Sequence, residues 1–204
     1  MKTIEIYNIL DNLYEKKIIF LEAENDFQLL IGVILSAQTT DKQVNSILPE
    51  LFENYPTPEK LGKAEINNII EIIHPVGFFN IKAANIIKTA DIIHKKHGDA
   101  VPAEMSALLQ LPGVGRKSAN VVRGQIFNLP AIIVDTHFQR TVTRLGLTSA
   151  KQPNKVEEEL NKIVPEKLQY RFSMLINKHG RTICKAKKPL CEKCGLISLC
   201  QFYN

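Results

Sequence analysis

Residues 26–37 read DFQLLIGVILSA, and between Phe27 and Leu35 the one polar side chain is Gln28. A helix this apolar on every side has no face to give to water, so other helices must pack around it. The flanking sequence offers such a shell. Val44, Ile47, Leu48 and Leu51 recur at i, i+3, i+4 and i+7, and Ile66, Ile69, Ile70 and Ile73 repeat the same offsets. Period-two alternation is scarce, so the expected class is all-α, with about ten short helices. The punctuation agrees: Thr57-Pro58-Glu59 reads as N-cap, first-turn proline and dipole-complementing acid, while Gly98, Gly146 and Gly180 follow periodic segments as expected C-caps.

The shell around the central helix is expected within residues 20–130. The helices of 136–180 then form a second bundle next to the C-terminal tail, with the junction near Pro130. At 204 residues the chain can bury a substantial core. Its longest apolar stretch, Leu29 to Leu35, is far shorter than the roughly 20 residues that span a bilayer. Met1 to Glu5 lead straight into an amphipathic pattern without a signal peptide, so the expectation is a soluble, intracellular (cytoplasmic) protein with no membrane partner.

The tail carries the cysteines. Cys184, Cys191, Cys194 and Cys200 are the four in the chain, spaced C-x6-C-x2-C-x5-C. Four clustered thiolates repel one another unless a cation neutralises them, so a metal centre is expected rather than disulfides or free thiols. Tetrahedral zinc and an iron-sulfur cubane both take four thiolates; zinc ribbons usually show two C-x2-C knuckles, and here there is one. The formal charge of +5 is concentrated here too. Residues 178–204 hold six Lys or Arg and the single acid Glu192, leaving the first 177 residues balanced. Lys185, Lys187 and Lys188 lie between the first two cysteines, where folding around a metal would gather them into a patch for a polyanion, most naturally nucleic acid.

Outside the tail the most specific stretch is LPGVGRK, residues 111–117. Gly113 and Gly115 suit a tight turn between a short helix around Met105 to Gln110 and a longer one beginning near Arg116. The free N–H groups at such a helix start can hold a phosphate whatever the base sequence. An ordinary helix-turn-helix joint with a glycine cap is the plainer alternative. Arg116 and Lys117 place two cations in the first turn, where the helix dipole prefers acids. That placement opposes stability, as functional residues often do. The positive field, with partial burial in a cleft, would favour the neutral, nucleophilic form of the Lys117 amine; a phosphate-gripping lysine is the alternative. Farther on, IIVDTH (132–137) is an apolar approach to an acid followed by a helical pattern. Asp135 is a natural N-cap, and a carboxylate so placed could also stabilise an oxocarbenium ion or move protons. His137 reads as a structural hydrogen-bonding residue.

Taken together, LSAQTTD (35–41), GFFNIKA (77–83), LPGVGRKSANVV (111–122), VDTHFQR (134–140) and HGRTICKAKKPLCEKC (179–194) resemble the endonuclease III family of helix-hairpin-helix DNA glycosylases. The resemblance covers the chain from about residue 30 to its end. It implies two α-helical domains flanking a DNA-binding cleft: a six-helix barrel with the hairpin over 20–130, and a domain of 1–19 plus 131–204 carrying a [4Fe-4S] cluster on the four cysteines. It implies a bifunctional DNA glycosylase and AP lyase that excises oxidised pyrimidines. Lys117 would attack C1′, form a Schiff base and cut the strand 3′ to the abasic site by β-elimination, with Asp135 as the catalytic aspartate. Gln38 and Phe78 match the residues that fill the gap left by an everted nucleotide; Phe78 stands where the family's leucine is expected. Gly113, Gly115, Arg116, Lys185, Lys187 and Lys188 would touch DNA. The partner would be duplex DNA with damaged bases or abasic sites, and the enzyme a monomer.

Two other readings compete. Adenine DNA glycosylases share the hairpin, aspartate and cluster, but carry a glutamate where this chain has Gly32 and lack a lysine at the position of Lys117. A non-enzymatic nucleic-acid adaptor, stapled by zinc, would need neither Lys117 nor Asp135.

Overall fold

The computed structural model describes residues 1–16 and 18–204. Among them the regular elements are helical: α1 (Lys2–Leu13), α2 (Asp26–Leu35), α3 (Asp41–Asn54), α4 (Pro58–Gly62), α5 (Ile66–Ile73), α6 (Phe79–His97), α7 (Met105–Leu108), α8 (Arg116–Phe127), α9 (Thr136–Arg144), α10 (Pro153–Ile163), α11 (Glu166–Thr182), and single 3-10 turns at Cys191–Lys193 and Ile197–Leu199. The all-α expectation is met. The chain divides into two compact units, one of residues 19–127 and the other of 1–18 with 128–204.

In the 19–127 unit, α2 is the axis. Asn25 caps it, accepting from the Gln28 N–H at 3.0 Å, and every residue from Phe27 to Leu35 is buried. Helices α3, α6 and α8 pack on it. Each fully buried Leu, Ile or Val contributes about 1.5–3 kcal/mol relative to exposure, so this helix is the unit's main source of hydrophobic stabilisation. The α3 stripe is buried as patterned. On α5 the stripe is narrower: Ile69 and Ile73 are fully buried, whereas Ile66 stays exposed at the first turn, beyond the edge of the core. Thr57 caps α4 as expected, accepting from the Lys60 N–H at 3.2 Å.

The other unit has its own core, in which Ile6 and Leu10 of α1 join Phe138 and Val142 of α9, Leu160 of α10 and Phe172, Leu175 and Ile176 of α11. Phe138 and Phe172 meet edge-to-face. Gly98 and Gly146 follow their helices with φ of 57° and 71°, as expected of caps. Gly180 does not: it lies inside α11. A Cβ there would stand 2.8 Å from the His137 carbonyl oxygen and 2.8 Å from Thr141 Oγ1. The glycine lets α9 and α11 approach closely; it does not end a helix.

Candidate functional site

The hairpin is built as its glycines require, though they do different work. Gly113 has φ of 81°, and a Cβ on it would meet Ile34 Cγ2 at 2.8 Å and Asn85 Nδ2 at 3.1 Å, so both conformation and packing exclude a side chain. Gly115 has open space around its Cβ position, leaving its backbone bare to an approaching group. The turn closes through the Val114 N–H to the Leu111 carbonyl at 3.1 Å, and Thr89 Oγ1 on α6 donates to the Pro112 carbonyl at 3.0 Å. Among the described residues the amides of Gly113, Gly115 and Lys117 have no hydrogen-bond acceptor. They form a ready set of donors for phosphate oxygens. Lys117 is exposed. The partial burial expected of its side chain is not found.

Gln38 and Phe78, also in this unit, are both exposed and both left-handed, with φ of 54° and 59°. Non-glycine residues in that region cost of order 1 kcal/mol or more each and persist where the surroundings hold them. Here they are held by contacts between the two turns. Lys82 Nζ donates to Thr39 Oγ1 at 2.7 Å, and Gln43 Nε2 reaches the Pro75 carbonyl at 3.5 Å. Lys82 is buried, which pushes its pKa below the usual lysine range. Phe78 is 61% exposed and Ile81 65%, so the start of α6 carries two bare apolar side chains. Gly32, deep within α2, offers no acid.

In the second unit Asp135 caps α9, its Oδ1 accepting from the Phe138 N–H at 2.7 Å. Its Oδ2 accepts from Asn177 Nδ2 on α11 at 2.5 Å. Ser173 of the same helix accepts from the Ile133 N–H at 3.0 Å and so braces the buried segment that leads to Asp135. Burial pushes the His137 pKa below its usual range, with Arg181 and Arg140 acting the same way against Asp135. The balance favours the neutral imidazole.

The four cysteines converge on one cavity, lined also by Arg144, Ile183, Pro189 and Phe202. Burial, and then the other three sulfurs, push the Cys194 thiol up. That is the repulsion a cationic centre would relieve. Among the described residues no three His, Cys, Asp or Glu side chains come together closely enough to hold one metal ion. Four thiolates lining one cavity suit either tetrahedral zinc or an iron-sulfur cubane. Lys185, Lys187 and Lys188 are exposed on the intervening loop, as a surface patch requires.

Sequence reasoning assigned no role to several residues that organise this region. Arg140 and Arg144, one turn apart on α9, tie down the cysteine loop. Arg140 donates to the carbonyls of Cys184 at 3.0 Å and Gly180 at 2.7 Å, while Arg144 donates to the Lys185 carbonyl at 2.8 Å and lies 4.6 Å from the Phe202 ring centre. His179, buried, bridges the Tyr14 hydroxyl at 3.0 Å and Cys194 Sγ at 3.3 Å. The i, i+4 arginine pair was visible in the sequence; the partners, about 40 positions away, were not.

An open glycine hairpin, a lysine at the helix start after it, a helix-capping aspartate and a four-cysteine cavity in an all-helical chain are what a helix-hairpin-helix DNA-repair protein would carry. Residues 31–166 match the HhH-GPD superfamily of base excision DNA repair proteins, and the chain belongs to that family. It is 44% identical to Endonuclease III of Synechocystis sp. over 197 residues, covering 96% of this chain and 90% of that protein. Among solved structures, a trapped Endonuclease III–DNA covalent intermediate superimposes with a TM-score of 0.91 at 36% identity, covering 100% of this chain and 97% of that one. A thermostable thymine-DNA glycosylase follows with a TM-score of 0.88 at 26% identity, covering 99% and 96%. The chain is thus an enzyme, a DNA glycosylase and abasic-site lyase. No helix among the described residues is long and apolar enough to cross a membrane.

Proposed function

We propose that the enzyme excises oxidised pyrimidines from duplex DNA through a covalent imine on Lys117. Carrying this reading is the exposed amine of Lys117 immediately after bare hairpin amides, in a chain that resembles a protein trapped in covalent union with DNA. The hairpin amides grip a phosphate, fixing the strand without reading its sequence. The Lys117 nitrogen attacks C1′ of the everted nucleotide, the glycosidic bond breaks and the base departs with a proton. Ring opening then gives the protonated imine. Loss of the C2′ proton expels the 3′ phosphate by β-elimination, and water releases the lysine. Asp135 stabilises the positive charge that grows on the sugar and takes part in proton transfer. Gln38 and Phe78 occupy the vacated space in the stack.

Cys184, Cys191, Cys194 and Cys200 fit a [4Fe-4S] cluster, which would supply structural cross-linking of the tail rather than reaction chemistry. It would set Lys185, Lys187 and Lys188 against phosphates. The partner is duplex DNA bearing damaged bases or abasic sites, engaged by a single copy of the chain, and such a partner places the protein's work inside the cell.

Incubation with an abasic-site duplex followed by borohydride tests the reading. A covalent adduct is expected from the parent and none from Lys117→Gln with unchanged thermal unfolding. Full trapping by that variant would remove Lys117 from the nucleophile's role.

A further inference from the structure

The proposed role of Asp135 leaves open what aims its carboxylate. Both oxygens are engaged by N–H donors of the fold: Oδ1 by the Phe138 amide at 2.7 Å and Oδ2 by Asn177 Nδ2 at 2.5 Å. The first bond is a helix cap and comes with α9. The second joins α9 to a side chain on α11 that is only 7% exposed and carries a cost. With Nδ2 turned to the carboxylate, Asn177 Oδ1 is left buried without a hydrogen-bond partner. Turning the amide over would satisfy neither side, since it would set the carbonyl oxygen against the carboxylate lone pairs. A buried acceptor left unpaired bears its desolvation cost uncompensated, whereas an apolar side chain would incur no such loss. A penalty of this kind, kept beside a reacting carboxylate, is expected where position matters more than stability.

We infer that Asn177 is a positioning residue for Asp135: its Nδ2–H···Oδ2 bond locks the carboxylate rotamer so that the charge faces the cationic sugar of the reacting nucleotide. This rests on the assignment of Asp135 to catalysis. With the cap alone, the carboxylate could still turn about its χ2 bond and present either oxygen to Phe138. With both bonds made, the plane of the carboxylate is fixed before substrate arrives, and the stabilisation it offers needs no reorganisation. Asn177 touches no reacting atom itself.

Two duplexes separate the possibilities, one with a neutral tetrahydrofuran in place of the abasic sugar and one with a pyrrolidine, cationic at neutral pH, at the same position. Parent protein is expected to bind the cationic duplex more tightly than the neutral one. Asn177→Leu, of the same branched outline, should lose about tenfold of that preference while binding the neutral duplex as the parent does, the loss expected for a hydrogen bond to a charged group. Asn177→Ser, too short to reach Oδ2, should behave the same and guards against a packing failure in the leucine variant; thermal unfolding of both is checked against the parent. In an Asp135→Asn background, where the preference should already be gone, Asn177→Leu should change nothing further. If Asp135→Asn abolishes the preference but both Asn177 variants retain it, the positioning role is overturned and the catalytic assignment of Asp135 stands. If Asp135→Asn keeps the preference, the catalytic assignment itself fails.

Discussion

The amine of Lys82, buried at the start of α6, reaches Thr39 Oγ1 at 2.7 Å and so joins the turn bearing Gln38 to the turn bearing Phe78. On the proposed function these two strained tips enter one gap and need a fixed spacing, and this bond ties their turns together across 43 positions of sequence. Lys82→Met is expected to weaken binding to a tetrahydrofuran-containing duplex about tenfold, with much less effect on undamaged duplex, as measured by fluorescence anisotropy. Equal losses on both would count against a gap-specific role.

Lys82 also gives the fold a pH signature. Burial lowers its pKa in the folded state. The unfolded chain therefore holds its proton to higher pH than the folded one, and stability must rise with pH between the depressed folded value and the unfolded value near ~10.4. Below that window both states are protonated and the burial penalty is fully present. Urea unfolding of the parent and of Lys82→Met across the alkaline range should diverge most at neutral pH and converge as pH climbs through the window. A constant difference would contradict the linkage.

Gly180→Ala should destabilise the protein by about 2–3 kcal/mol, because the new methyl group would press on the His137 backbone carbonyl, which cannot swing aside as a side chain would. Gly77→Ala is the control, since nothing lies within 4 Å of its Cβ position. It should be neutral or stabilise by about 0.5 kcal/mol. Similar effects of the two changes in denaturant titrations would argue against the packing explanation.

Purified protein should contain iron and acid-labile sulfide rather than zinc, with broad visible absorbance. Removal of the centre should release the loop that Arg140 and Arg144 now hold through backbone carbonyls, seen as new protease cleavage between Cys184 and Cys200. A zinc-loaded, colourless protein with a protected tail would overturn the cluster assignment.

Replacing Lys185, Lys187 and Lys188 together by glutamine should weaken binding to every duplex alike. It should reduce the slope of log affinity against log salt by roughly 2–3, the value for three lost phosphate contacts. An unchanged slope would take the patch off the DNA.

Much of the fold was legible because its strongest signals are local. The all-apolar run of α2, the α3 stripe, the Thr57 and Asp135 caps and the helix start at Arg116 all follow from neighbours within one or two turns. Gly180 was misread because a glycine near the end of a periodic segment looks the same whether it stops the helix or makes room for another one. Ile66 shares its offsets with Ile69 and Ile73, yet lies past the end of the core, a matter of where α5 sits. The site divides along the same line. The cysteines, the hairpin and Asp135 announce themselves by spacing. Lys82, Asn177, Arg140 and His179 matter through partners that no local pattern connects to them.

The unit that holds the cysteines is assembled from both ends of the polypeptide: Tyr14 of the first segment reaches His179, and a Cβ on Gly195 would collide with Leu13. Residues 19–127 are contiguous and can complete their own packing while still tethered to the ribosome. The opening helix has no such option. Ile6 and Leu10 stay uncovered until α9, α10 and α11, which bury them, have all been translated.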